Sequence, residues 1–243
     1  MARHLEKEVL IERRGAVALV EINRPPVNFF DLALIETLLQ RMQALDADPE
    51  CRAIVLAASG KVFCAGADFG SGVDPDQALE VATKLYSRAI GLFEIGTPVV
   101  ASVQGGAIGG GLGLALAADF RVASEAARFS ANFAVLGMHC GFGISTTLPR
   151  VVGANAAARM LYTGDRLSGA EAFELGLADS LVAAGAPRAV QDMRRTLRRG
   201  LADDVRATLA HELALQGDHM KTADFLEGVR AASERRTPHF TGK

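Results

Sequence analysis

Six of the eleven residues from Gln104 to Leu114 are glycine, in the order Gln104-Gly105-Gly106-Ala107-Ile108-Gly109-Gly110-Gly111-Leu112-Gly113-Leu114. Residues without a Cβ weaken a helix or strand, so a run this dense belongs where the backbone must come very close to something. If the run turns into a helix, the N–H groups of its first turn have no intrahelical acceptor and present the positive end of the helix dipole. An earlier segment, Gly60-Lys61-Val62-Phe63-Cys64-Ala65-Gly66-Ala67-Asp68-Phe69, carries a strand into small residues and then into polar ones. Two such turns can aim two N–H donors at one oxygen, which is the geometry of an oxyanion hole. Composition leaves convergence open, and the competing reading is that these glycines only permit tight packing.

The glycine run lies within Val99–Ala118, the most apolar stretch of the chain. Its glycines and Gln104 break the uniform hydrophobicity that a membrane span of about 20 residues needs. At 243 residues, 49% hydrophobic and 22% charged, the chain has the profile of a globular protein with a sizeable core. The net charge of −2 offers no basic field for a polyanion, so nucleic acid is excluded as the main partner. Cys51, Cys64 and Cys140 are too few and too scattered for a disulfide framework. The start, Met1 to Glu8, alternates charge and has no apolar segment of the kind a signal peptide carries, so a cytoplasmic location is expected.

Val9–Ile11 and Ala16–Ile22 read as two strands around a tight turn, ended by Arg24-Pro25-Pro26. From Asp31 to Leu45 apolar residues recur at helical spacing, with Asp31 as N-cap. Ala53–Ala57 and Pro98–Val103 read as buried strands, and Ala78–Phe93 as a helix between them. Strand, glycine turn and helix thus repeat through the first two-thirds, which predicts an α/β fold. The final third is helical in pattern over Ala154–Tyr162, Gly169–Leu175 and Arg188–Ala231. The four arginines within Asp192–Arg199 suit a solvated helix face better than a phosphate clamp. The expected division is a core over residues 1–187 and a helical C-terminal region over 188–243.

Several familiar motifs fail. Gly109-Gly110-Gly111-Leu112-Gly113 is followed by Leu114 and does not complete G-x-G-x-x-G, and Val62 after Gly60-Lys61 breaks a Walker A. Leu215 stands where H-E-x-x-H, begun by His211-Glu212, needs its second histidine. No G-x-S-x-G elbow exists. Dinucleotide, P-loop, zincin and elbow-hydrolase chemistries therefore fall away as first choices.

Along nearly its whole length the chain resembles the crotonase, or enoyl-CoA hydratase/isomerase, superfamily. The resemblance rests on Asn23-Arg24-Pro25 with Asn28, Lys61 to Asp68, Pro98-Val99-Val100-Ala101, and Gly105 through Asp119-Phe120-Arg121. It continues through Leu136-Gly137, Leu148-Pro149-Arg150, Gly153, Leu161 to Ser168, Gly176-Leu177-Ala178 and Phe225 to Ala231. It implies a spiral of repeated ββα units, with an acyl-CoA pocket in the core and C-terminal helices that build homotrimers, often paired into hexamers. It implies a thioester substrate, acyl-CoA or acyl-carrier, and no cofactor besides the coenzyme A of that substrate; no metal is implied. The two family main-chain donors to the thioester oxygen fall on Ala67 and Gly110, and losing one such donor typically costs about 3 kcal/mol. The coenzyme side of the pocket falls on Pro26 and Val27 with the main chain of Ala65, Gly66 and Asp68.

Hydratases of this family use two glutamates, and the matching positions here are Gly113 and Phe133. Neither can move a proton, whereas a positioned general base contributes about 10²–10⁴-fold. The usual two-glutamate hydration is therefore not expected, and single-glutamate isomerisation is weakened with it. His139 is the natural substitute acid or base, against the commoner role of a structural histidine. Cys140 beside it and Asn132 are expected to line the substrate pocket with Gly113 and Phe133. Cys64 could in principle attack a thioester, although a small buried residue is the plainer reading. Ser145, Thr146 and Thr147 are expected to cap the helix leading to Arg150.

Three functions follow. A decarboxylase or other C–C lyase needs the oxyanion hole and little acid–base machinery, because loss of CO2 leaves the enolate directly. Ala131-Asn132-Phe133 resembles the decarboxylating crotonases of polyketide β-branching, which act on carrier-protein thioesters. The alternatives are a hydratase or isomerase that recruits His139 or a bound anion, and an acyl-CoA binding protein without catalysis.

Overall fold

The computed structural model describes residues 7–68, 75–179, 198 and 200–242, with the side chains of residues 75–78 excepted. Its first two strands form a hairpin: β1 (Val9–Arg14) pairs antiparallel with β2 (Val17–Ile22), with Gly15 at φ +61° making the turn. Along β2 the side chains alternate, burying Ala18, Val20 and Ile22. Helix α1 (Leu32–Asp46) follows, and the Asp31 carboxylate accepts from the Leu34 N–H at 2.8 Å as its N-cap. Leu34, Ile35, Leu38, Met42 and Leu45 form its buried stripe; four of these keep the expected spacing, Leu34 joins them, and Leu32 and Leu39 are only partly buried.

The next elements repeat as strand, short strand, helix. β3 (Ala53–Ala58) leads to β4 (Val62–Cys64) and α2 (Pro75–Glu94); β5 (Val99–Val103) leads to β6 (Gly106–Ile108) and α3 (Gly110–Ala117). β7 (Phe120–Ala123) leads to β8 (Arg128–Ser130), a 3₁₀ turn (Ala134–Leu136), α4 (Ile144–Val152) and α5 (Ala154–Thr163). The first strand of each unit joins a sheet ordered β1-β2-β3-β5-β7, parallel from β2 onward. The short strands form a second sheet, β4-β6-β8, closed by antiparallel β9 (Arg166–Ser168). This is the spiral of ββα units that the resemblance implies.

Successive turns of the spiral are stitched at their corners. The Gln104 side-chain amide donates to the carbonyls of Ala58, Gly60 and Val62 at 2.8, 3.2 and 3.3 Å, and the Ser124 hydroxyl donates to the Gln104 carbonyl at 2.9 Å. A methyl group on Gly105 would lie 1.9 Å from the Lys61 carbonyl oxygen, so only glycine lets these corners stack. Buried Arg121 locks the edge, donating to the carbonyls of Leu177 and Ala118 and to the Asp179 carboxylate.

After α6 (Gly169–Glu174), the described C-terminal part holds α7 (Leu201–His219) and α8 (Ala223–Glu234). The helical run expected over Arg188–Ala231 is therefore broken at Met220–Thr222, where the Thr222 hydroxyl caps α8 by accepting from Phe225 N at 3.1 Å. Helix α7 packs on α2 and α4. The 187/188 boundary and most of Asp192–Arg199 lie outside the described residues. Among the described residues no helix is long and apolar enough to cross a membrane.

Candidate functional site

The two glycine turns meet. β4 ends at Cys64, and Gly66 follows at φ +83°, a conformation open to glycine and costly for other residues. Gly109, at φ +55°, stands at the N-cap of α3 without a side-chain cap. A methyl group on Gly66 would lie 2.9 Å from the Ile108 carbonyl oxygen and 3.2 Å from Gly110 N. One on Gly111 would lie 2.0 Å from the Cys64 carbonyl oxygen. The 64–66 turn therefore rests directly on the first turn of α3.

A third segment ties into the same place. Ala65 N donates to the Val27 carbonyl at 3.0 Å, and Phe30 N donates to the Gly66 carbonyl at 2.9 Å. Buried Asn28, at φ +51°, holds that segment by donating to the carbonyls of Ser59 (2.8 Å) and Val62 (2.7 Å) while accepting from Arg24 N (2.9 Å). Half-buried Val27 is thus held against Ala65, with exposed Pro26 just before it in the chain. Half-buried Ala67 continues that turn, and exposed Asp68 ends it.

The walls around the first turn of α3 are aromatic. The Phe30 ring lies against Gly110: a methyl group there would sit 2.4 Å from its Cζ. One on Gly109 would sit 3.1 Å from Asn132 Oδ1 and 3.8 Å from Phe133 Cζ. One on Gly113 would sit 2.7 Å from Phe142 Cβ, with two ring carbons inside 3 Å. Asn132, Phe133 and Gly113 therefore do gather at this turn, and Phe142, which sequence reading overlooked, fills the space beside Gly113. Its ring is fully buried, 5.4 Å from Phe30, 6.2 Å from Tyr86 and 6.4 Å from Phe93 between centroids.

His139 and Cys140 face α7. The His139 carbonyl accepts from the Gln216 side-chain amide at 3.0 Å, and the ring lies 6.1 Å from His211 and 6.4 Å from His219 between centroids. His139 Nδ1 is 2.8 Å from the Cys140 carbonyl oxygen. The Nδ1 of His219 is buried and finds no hydrogen-bond partner among the described residues.

Glu212 is the group that sequence reading missed. It is fully buried on α7 and accepts from Gly143 N at 2.9 Å, Ser145 N at 3.2 Å and the Ser145 hydroxyl at 2.6 Å. It thereby caps α4, whose N-cap residue is Gly143 at φ +69°. The capping role expected of Ser145, Thr146 and Thr147 is corrected: all three lie inside α4, and the capping oxygens come from a helix nearly seventy residues later. Burial pushes the Glu212 carboxyl above its ordinary value, against the pull of those hydrogen bonds.

Burial also raises the Cys64 thiol to about 12, and the Cys140 thiol to about 12 with help from the nearby Glu212 charge. Both stay protonated at neutral pH, which removes Cys64 as a thioester nucleophile. Its sulfur instead accepts from Gly66 N at 3.4 Å.

Comparison with known proteins finds relatives along nearly the whole chain. Residues 12–186 match the family model described as enoyl-CoA hydratase/isomerase. The chain is 33% identical to enoyl-CoA hydratase domain-containing protein 2, mitochondrial, of Bos taurus, over 99% of this chain and 90% of that one. It is 30% identical to the trans-2-decenoyl-[acyl-carrier-protein] isomerase of Streptococcus mutans, over 98% and 99% respectively. The crystal structure of an enoyl-CoA hydratase/isomerase from Pseudoalteromonas atlantica superposes with a TM-score of 0.83 at 28% identity, covering 97% of this chain and all of that one.

Proposed function

Because the chain belongs to the enoyl-CoA hydratase/isomerase family of the crotonase superfamily, we propose that it forms a thioester enolate by C–C cleavage, decarboxylation above all. The observation that carries this reading is the meeting of the Gly66 turn with the first turn of α3 between Phe30, Phe133 and Phe142. Ala67 N–H and Gly110 N–H receive the thioester oxygen, and the electron pair of the breaking Cα–CO2 bond moves into the enolate. A proton donor must then supply Cα. Before that proton arrives the step needs no base, so Gly113 and Phe133 are no handicap to it. Removing one oxyanion donor should slow turnover about 10²–10³-fold. Coenzyme A, or the equivalent arm of a carrier protein, enters as part of the substrate along Pro26, Val27, Ala65, Gly66 and Asp68.

A second reading draws on the relatives that are named as hydratase and isomerase. In it His139, flanked by His211 and His219, or a bound anion moves the proton. Both readings go with a homotrimer, supported by half-exposed Leu226 on α8 and by Tyr162 at 80% exposure.

Incubation in D2O with saturated, α,β-unsaturated and carboxylated acyl-CoAs, followed by mass spectrometry, separates the readings. Loss of CO2 with one deuteron gained at Cα supports the first. Water addition, double-bond migration or α-deuteration without CO2 loss, abolished in His139→Ala, supports the second. Saturable binding without any of these leaves an acyl-CoA binding protein. The control must take account of Phe30, which a side chain at position 110 would strike. Gly110→Pro is therefore compared with its parent in a Phe30→Ala background.

A further inference from the structure

Phe142 breaks a local rule. It is a bulky residue at φ +59°, in the left-handed region where side chains other than those of Asn and Asp are rarely held. Its neighbours Gly141 and Gly143 leave the backbone free to turn there, and the ring is buried completely. A conformation this unfavourable persists only where the surroundings impose it, and such positions gather at functional sites. The constraints are visible: the ring wedges between Phe30, Tyr86 and Phe93, with its Cβ against Gly113.

Residues 110 and 113 share one face of α3, because positions three apart on a helix are neighbours. A thioester whose oxygen sits on Gly110 N–H must carry its acyl carbons past that face. Phe30 covers it at Gly110 and Phe142 at Gly113. A methylene chain passing between two rings needs about 3.5–4 Å of clearance on each side, hence about 7–8 Å in all. The Phe30 and Phe142 centroids are 5.4 Å apart with ring planes tilted by 42°, so no chain can run between them. Tyr86 and Phe93 on α2 back the Phe142 ring and prevent it from swinging away.

We propose that Phe142, braced by Phe30, is a specificity-determining stop that confines the acyl group to short thioesters of acetyl to butyryl size, carboxylated or not. This rests on the thioester reading above and names its substrate class. Binding alone reads the stop, so turnover is not required for the test. Affinities of the saturated acyl-CoA series from acetyl to decanoyl are measured by calorimetry for the wild type, Phe142→Gly and Phe30→Leu. Glycine suits the positive φ at position 142, and Phe30→Leu opens the same wall should the first variant fold poorly. In the wild type, affinity climbs about fourfold per methylene up to butyryl and then stops climbing or falls. If the vacated space takes about three methylenes, Phe142→Gly raises the octanoyl-to-butyryl affinity ratio roughly 50-fold. Wild-type affinity that keeps climbing to decanoyl overturns the stop. So does a variant series parallel to that of the wild type. If none of the proteins binds any acyl-CoA, the acyl-CoA form of the thioester reading falls, and the stop proposed for it falls too.

Discussion

Glu212 offers a measurable test of how the site is held. In Glu212→Ala, Gly143 N–H, Ser145 N–H and the Ser145 hydroxyl all lose their acceptor in a buried place. Each unsatisfied buried donor costs about 1–3 kcal/mol, partly offset because a buried charge leaves as well. A net loss of about 3 kcal/mol is expected, which for a chain of this length lowers Tm by about 6–12 °C. Glu212→Gln keeps one acceptor oxygen and should cost about 1–2 kcal/mol at pH 5. The pH dependence has a definite sign. Burial raises the native Glu212 carboxyl above its ordinary value of 4.5, so above that pH the native state binds more protons here than the unfolded state does. Stability contributed by this group is therefore complete below about pH 4.5 and falls as pH rises through the raised native value. The amide introduced by Glu212→Gln carries no such proton, so the gap between wild type and this variant should narrow from pH 5 to pH 8. Urea unfolding at several pH values measures it. Parallel curves across that range would refute the raised carboxyl, and a Tm for Glu212→Ala within about 1 °C of wild type would refute the assignment of Glu212 as the cap of α4.

Three further outcomes are expected. Gly111→Ala should abolish activity and destabilise by several kcal/mol, because its Cβ would lie 2.0 Å from the Cys64 carbonyl oxygen and backbone cannot yield cheaply; circular dichroism with the D2O assay checks both. Gly113→Glu should not create hydratase activity while Phe142 occupies the space beside it, and combining it with Phe142→Gly should recover stability lost by the single change; crotonyl-CoA hydration and a double-mutant cycle read the two effects. Native Cys64 should resist alkylation at pH 8, since a thiol titrating near 12 is only about one part in ten thousand thiolate there; labelling as fast as that of an unfolded control would contradict its burial.

Much of the frame could be read in advance, because long elements carry a period. Helix α1 declared itself through Asp31 and its apolar spacing, and the β1–β2 hairpin through two apolar runs around Gly15. The second sheet was nearly silent, since strands of three residues such as Gly106–Ile108 are too short to show alternation. The glycine turns were visible as composition, but their meeting depends on corner stacking between residues some forty apart. Glu212 was hidden for a different reason. Read beside His211, it looked like a failed metal motif, and nothing local marks a carboxylate whose partners lie on another element. Phe142 escaped notice because an aromatic residue between two glycines has no helical or strand signature, and its meaning lies in the empty place at Gly113.

The cap on α4 also bears on how the protein is made. Gly143 and the carboxylate that satisfies it are 69 residues apart, so the carboxylate leaves the ribosome well after the loop that it caps. Both glycine turns and all the pocket phenylalanines are synthesised well before it. A growing chain halted before α7 therefore owns every residue of the proposed oxyanion site, yet its α4 begins with bare N–H groups and its 139–143 loop lacks the Gln216 tether. Such a chain is expected to hold α4, and with it the loop that carries Phe142, less firmly than a chain that includes α7.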